Sequence, residues 1–362
     1  MTLFLCGDVM TGRGVDQVLP FPSDPRLEEP VATSALTYLT LAERVSGKIP
    51  RAVLPSYVWG DALEALEARA IDARIVNLET AVTRSEDAEP KGINYRMHPR
   101  NVGVLGAARI DCCVLANNHG LDWGAAGLVE TLDTLEGAGI RVAGAGRDLW
   151  DAQAPALLTT AGATRLLVFA FGLPSSGITN AWAATSTSAG VHFLPDLSAA
   201  SVDLVASLVR QAKAEGDIAI ASVHWGGNWG YGIPRAHERF AHALVDRAGI
   251  DIVHGHSSHH PLGIEVHGGR LILYGCGDFL NDYEGISGHE DYRADLVLMY
   301  LPVLDAATGR LEALTILPFR IHHFRLNRPA DEEREWLRAR MERECRRFGL
   351  QVSERGGEFV VA

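Results

Sequence analysis

Four histidines fall within seven residues, His254, His256, His259 and His260, directly after the apolar run Ile252-Val253. A strand ending in imidazoles is poor core material, because each buried ring nitrogen left without a partner costs on the order of 1–3 kcal/mol. Imidazoles held side by side in a turn are better explained by a cation they share. A polar turn with its rings in water is the competing reading.

Four other apolar runs break into potential ligands. Residues 2–6 lead into Gly7-Asp8, residues 73–77 into Leu78-Glu79, residues 112–116 into Asn117-Asn118-His119, and residues 217–223 into His224. In layered α/β sheets, sites form beyond the carboxyl ends of strands, where loops meet. Asp8, Glu79, Asn118, His119, His224 and the histidine cluster are therefore expected along one edge. Oxygen and imidazole donors without thiolate suit Zn, Mn or Fe, and a carboxylate can bridge two ions.

Other side chains near these strand ends have two readings each. Asp122, three residues after His119, could orient that ring or cap the next helix. Arg13 and Arg96 are candidates for holding an anionic group of a substrate, with a surface ion pair as the plainer role. Trp225, Trp229 and Tyr231 follow His224 and could wall a pocket or simply pack. Asp278, Asp282 and Glu284 read as an acidic turn, structural first and pocket rim second.

The elements that must position these groups alternate between apolar strands and helical stretches, the pattern of an α/β layered fold. Helices are expected over residues 59–70, 100–108, 125–138, 201–215, 235–248 and 330–348. Residues 15–56, with Pro20, Pro22, Pro25, Pro30, Pro50 and Pro55, interrupt the alternation, with a helix at 35–45, and read equally as an insertion beside the site that shapes its pocket or as a plain surface excursion. Residues 175–190, rich in Ser, Thr, Ala and Gly, are expected to form a loop. The expected organisation is one domain over residues 1–328, followed by a helix and tail, 329–362, packed on it.

The chain has 362 residues, 47% of them hydrophobic, enough for a substantial core. A net charge of −12 without a basic stripe argues against a nucleic-acid partner. An anionic substrate is still compatible, since bound cations dominate the field close to them. Apolar runs are only strand-length, so neither a leader nor a membrane segment is expected, and the cytoplasm is the expected compartment. Of five cysteines without metal-type spacing, the three in apolar strands, Cys6, Cys112 and Cys113, are expected to be reduced core thiols.

Five ordered blocks carry a resemblance: Gly7-Asp8-Val9-Met10, Asn77-Leu78-Glu79, Ala116-Asn117-Asn118-His119-Gly120-Leu121-Asp122, Val223-His224-Trp225-Gly226 and Gly255-His256-Ser257-Ser258-His259. With Gly144-Ala145-Gly146-Arg147 and Tyr274-Gly275-Cys276-Gly277-Asp278-Phe279, they resemble the CapA-like family. That family is named for poly-γ-glutamate capsule synthesis and is related to the calcineurin-like metallophosphoesterases. The resemblance spans roughly residues 1–320. It implies a four-layer α-β-β-α sandwich with two divalent metal ions. Asp8 would bind one ion and Glu79 would bridge, in place of the usual aspartate. Asn118 and His224 would bind the second ion, with His256 and His259 completing the pair. His119 would be the general acid for the leaving group. Two departures stand out: Met10 replaces the histidine of the usual Asp-x-His, and His256 and His259 are three residues apart rather than two. His254 could supply the missing ligand or support the others.

The implied activity is hydrolysis of a phosphoester or related anionic substrate, small or polymeric, by water that the metal activates. The alternatives are processing of γ-glutamyl amide bonds and a non-catalytic metal-binding or scaffold role. The sequence leaves the oligomeric state open.

Overall fold

The computed structural model describes residues 1–362. The chain begins with β1 (Leu3–Val9), followed by α1 (Leu36–Ser46), α2 (Asp61–Glu67), β2 (Ala73–Leu78), α3 (Gly103–Ala107), β3 (Cys112–Val114), α4 (Gly124–Gly137) and β4 (Arg141–Ala143). It continues through β5 (Ala156–Thr159), β6 (Arg165–Gly172), α5 (Ala199–Ala212), β7 (Ile218–His224), α6 (Arg235–Asp246), β8 (Ile252–His256), β9 (Ile264–His267) and β10 (Arg270–Leu273). Last come β11 (Asp278–Leu280), β12 (Leu296–Leu304), β13 (Leu311–Ile321), α7 (Asp331–Arg346), β14 (Val352–Arg355) and β15 (Glu358–Val361).

The strands form two large sheets. The first has the order β14-β15-β13-β12-β1-β2-β3-β4, with β11 also paired to β1. The second has the order β9-β10-β8-β7-β6-β5. The strands that carry the site run parallel in both sheets: β1, β2, β3 and β4 in the first, and β6, β7, β8 and β10 in the second. Their carboxyl ends therefore open on one edge.

Alternation along β6 shows how the layers stack. Leu166, Val168 and Ala170 join Leu3, Leu5, Ile75 and Val114 in the core between the sheets. Leu167, Phe169 and Phe171 point the other way, onto Val202 and Val205 of α5 and Phe240 and Leu244 of α6. Helices α2, α3 and α4 cover the first sheet with Ala62, Leu105 and Leu132. The result is a four-layer α-β-β-α sandwich. No helix is long and apolar enough to cross a membrane. All five cysteines are buried and unpaired.

Some boundaries differ from the sequence reading. β1 does not stop at Cys6 but continues through Gly7 and Asp8 to Val9. It can do so because it runs beside the Gly277-Asp278 segment, where a Cβ on Gly7 would sit 1.7 Å from the Gly277 carbonyl oxygen. Residues 352–361, read only as a tail, form a hairpin that extends the first sheet. Within 15–56, Glu29 and Tyr38 are buried against Arg13.

Candidate metal centre

Asp8 sits at an irregularity in the register of β1 with both of its parallel neighbours, opposite Asn77 of β2 and Asp278 of β11. Such a bulge re-aims a side chain at the end of a ladder. The Asp8 carboxylate accepts from Asn77 Nδ2 at 2.7 Å and from the Ser257 backbone N–H at 3.3 Å. Ser257 itself has φ +100, a strained value for a residue with a side chain, in the turn between His256 and His259. The strain lies where the two histidines must be aimed.

Three carboxyl groups meet here with few donors among them. Burial, then the facing charge of Asp278, pushes the Asp8 carboxyl up to about 7. Burial, then Asp8 and Asp278, pushes Glu79 well above the usual carboxylate range. Glu79 lies 1% exposed, and its Oε2 has no hydrogen-bond partner at all. Its Oε1 lies 3.7 Å from His119 Nε2 and 3.8 Å from His224 Nε2.

The histidines can be assigned protons by elimination. His254 Nε2 lies 2.7 Å from the Cys6 carbonyl oxygen, which only accepts, so this nitrogen carries the proton. Burial drops the His254 pKa to about 4, so the ring is neutral and its Nδ1 accepts from Ser222 Oγ at 3.0 Å. Ser222 Oγ then receives the Nε2–H of His256 at 2.8 Å, which leaves His256 Nδ1 bare. That bare nitrogen lies 2.7 Å from His224 Nδ1, while His224 Nε2 lies 2.9 Å from Asn118 Oδ1. Burial, then the neighbouring histidines, holds His224 well below its ordinary pKa, so it has one proton for two electron-rich neighbours. With Asn118 Oδ1 turned to this ring, one contact is lone pair against lone pair, which a cation would relieve.

On the other side of Asp8, His259 Nδ1 lies 2.8 Å from Asp278 Oδ1, and Asp278 Oδ2 accepts from Asn281 at 2.7 Å. Burial pulls His259 down, but Asp278 and Asp8 outweigh it and leave the pKa raised. The potential ligand atoms of Asp8, His224 and His256 lie within 4.8 Å of one another, as do those of Asp8, His259 and Asp278. Two overlapping donor sets share Asp8. The orphaned Glu79 oxygen, the raised carboxyls and the protonless His224 contact all fit divalent cations. Met10, in the place of a further ligand, is buried with its sulfur 3.8 Å from Tyr283 Oη.

His119 borders this group. Its Nδ1 lies 2.6 Å from Asp122 Oδ2, and Asp122 also receives Lys91 Nζ and the Tyr95 backbone N–H, each at 2.6 Å. The following helix takes no side-chain cap from Asp122, so orienting His119 is the role its contacts support. The His119 ring packs edge-on against Tyr95 at 4.5 Å. Burial drops its pKa to about 4.

Asp8, Glu79, Asn118, His119, Asp122, His224, His256 and His259 thus converge, and His254 stands behind His256 as its support. The arginines do not join them. Arg13, 3% exposed, gives Nε and Nη2 to Asp282 at 2.9 and 2.6 Å and Nη1 to Glu29 at 3.2 Å. Arg96 bonds the carbonyls of Ser85 and Asp24 and covers the Trp123 ring. From the stretch 91–96 it is instead Lys91 and Tyr95 that reach the site. Trp229 flanks His259 at 5.2 Å, whereas Trp225 is stacked on His237 in the core. Asp278, read from sequence as part of a structural turn, is the main residue missed. Its Gly277-Asp278 repeats the Gly7-Asp8 pattern and lies in the Tyr274–Phe279 block of the resemblance, two signals that pointed to it.

Comparison with known proteins shows what the chain is similar to. Residues 2–283 match the family described as bacterial capsule synthesis protein PGA_cap. A probable polyglutamine synthesis accessory protein of Mycobacterium tuberculosis is 49% identical over 98% of this chain and 94% of its own length. The PGA biosynthesis protein CapA of Bacillus subtilis is 28% identical over 70% of this chain and 63% of its own. Among solved structures, a phosphatase from Mycoplasma pneumoniae superposes with a TM-score of 0.47 and 8% identity, over 88% of this chain and 93% of that one.

Proposed function

The chain belongs to the PGA_cap family of bacterial capsule synthesis proteins, and we propose that it is a metal-dependent hydrolase acting on a phosphoester or a related anionic group. The observation that carries this reading is the excess of lone pairs at the centre: Glu79 Oε2 without a donor and one His224 contact without a proton. In this proposal Asp8, Glu79, Asn118, His224, His256, His259 and Asp278 hold two divalent cations, and His254 fixes the tautomer of His256 through Ser222. Bound there, such ions would activate water and neutralise charge on the substrate.

The protein's own contribution is proton handling. Asp122 keeps the His119 proton on Nδ1, so Nε2 faces the centre bare. In the free protein His119 is neutral at pH 7. An anionic substrate beside it favours the imidazolium, which can then protonate the leaving group. Lys91, bridging Asp122 and the Asn118 carbonyl, ties the acid to a ligand-bearing loop.

The names of the relatives favour service in polyglutamine or poly-γ-glutamate synthesis, and with it a second reading, cleavage of γ-glutamyl amide bonds. Parallel assays decide between them: nitrophenyl phosphate mono- and diesters on one side, and chain-length analysis of poly-γ-glutamate on the other. The first reading expects phosphoester turnover that falls by about 10²–10⁴ in His119→Ala at unchanged metal content. Polymer shortening without phosphoester turnover would replace it with the second. No turnover of either substrate at full metal occupancy would leave a binding or scaffold protein.

A further inference from the structure

A second histidine–carboxylate cluster lies outside the centre, where α6 crosses the edge strand β9. His242 and Asp246 are four residues apart on α6, which places them on one face of the helix. Glu265 and His267 are two apart on β9, on one face of the strand. The contacts cross between the elements. His242 Nε2 lies 2.9 and 3.0 Å from the two Glu265 oxygens. His267 Nε2 lies 2.9 and 3.0 Å from those of Asp246. The two imidazoles stack with centroids 4.0 Å apart and planes 8° from parallel.

The ligand atoms of His242, Glu265 and His267 all lie within 4.8 Å of one another. Tyr274 Oη donates to Glu265 Oε2 at 2.7 Å, the kind of outer contact that fixes a ligating carboxylate. The side chains of His242, Glu265 and His267 are 35%, 15% and 27% exposed, so an ion can enter from solvent. With neutral rings the four groups carry two negative charges, which one dication balances. No residue of the buried centre contributes to them.

We infer that His242, Glu265 and His267, with Asp246 as a fourth donor, form a separate site for one zinc-class divalent cation. Two imidazoles and two carboxylates match the nitrogen and oxygen donors zinc takes in four-coordinate sites, whereas calcium or magnesium would call for oxygen alone. The site would be structural. β9 has only one strand neighbour, β10, and an ion shared with α6 would clip this sheet edge to the helix whose His242 and Asp246 reach it.

Untagged protein, stripped with chelator, reloaded with Zn²⁺ and desalted, tests this by elemental analysis. The double variant His242→Ala with His267→Ala is expected to carry one zinc fewer than wild type and to lose retention on an immobilised-zinc column. His256→Ala, altered only in the buried centre, is expected to keep both the surface equivalent and the retention. His242→Gln with His267→Gln preserves bulk and hydrogen bonding, and supplies the same comparison should the alanine pair fail to fold. Equal zinc content in wild type and a folded double variant would overturn the site. Because the two centres are altered separately, failure of this inference and failure of the buried-centre reading give different stoichiometries.

Discussion

Two buried charge clusters sit close together in this molecule and behave in opposite ways. Around Arg13, one guanidinium answers Asp282 and Glu29, lies 3.5 Å over the Tyr38 ring, and donates from each of its three nitrogens. Around Asp8, three carboxyls face one another and two histidines share too few protons. The first cluster is complete without help. In the second, Glu79 Oε2 has no donor, so lone pairs left without a partner, and not the number of buried polar groups, mark the candidate site.

That contrast can be broken at several points. The largest effect should come from removing the donor of the partnered cluster. Arg13→Ala leaves Asp282 and Glu29 buried without their cation and is expected to cost about 3–5 kcal/mol of stability, read by chemical denaturation, with or without metal present. Next comes relief of the second cluster. Asp8→Asn removes a like charge and should leave the metal-free protein as stable as wild type at pH 8, or more so by roughly 1–2 kcal/mol, while abolishing metal uptake at the buried centre. A clear loss of metal-free stability would mean that Asp8 is part of an ordinary hydrogen-bond network.

The pH dependence follows in size. The Asp8 pKa rises on folding from 3.8 to about 7, so its proton is held more tightly in the folded chain. The stability it contributes to the metal-free protein is full below pH 3.8 and is lost as pH climbs through 7. Cations must displace that proton. Metal affinity should therefore fall roughly tenfold per pH unit below 7 for each proton displaced, with calorimetry in two buffers reporting proton release. His119 and His254, held to about 4, act in the opposite sense, losing stability as pH falls from 6.5 toward 4. Smallest is Arg96→Ala, which removes a stack on Trp123 and two carbonyl contacts. It should cost about 1 kcal/mol and leave hydrolysis unchanged; a large rise in KM would return Arg96 to the substrate site.

The sequence made the strand ends legible because an apolar run that stops at a ligand is a local pattern. Asp8, Glu79, Asn118, His119 and His224 could be read one strand at a time, and the structure then brings them to one edge. Asp278 was not legible in the same way. It matters because β11 lies parallel to β1 across 270 residues of chain, a pairing no local pattern encodes. Arg13 shows the same limit: its ion pair reads from sequence as a surface one, because its partner Asp282 is 269 residues away and nothing local shows that the pair is buried. Helix positions were legible from periodicity, with ends off by a few residues, while the terminal hairpin at 352–361 was hidden by its charged, glycine-broken sequence.

The measurement that tests the central claim most directly is the metal content of gently purified, untagged protein, compared with His256→Ala and Asp8→Asn. The account predicts two buried-site equivalents of Zn, Mn or Fe per wild-type chain. Both variants should lose them while remaining folded by circular dichroism. Unchanged metal content in folded His256→Ala and Asp8→Asn, or a wild-type protein that takes up no metal at the centre even when loaded, would contradict it.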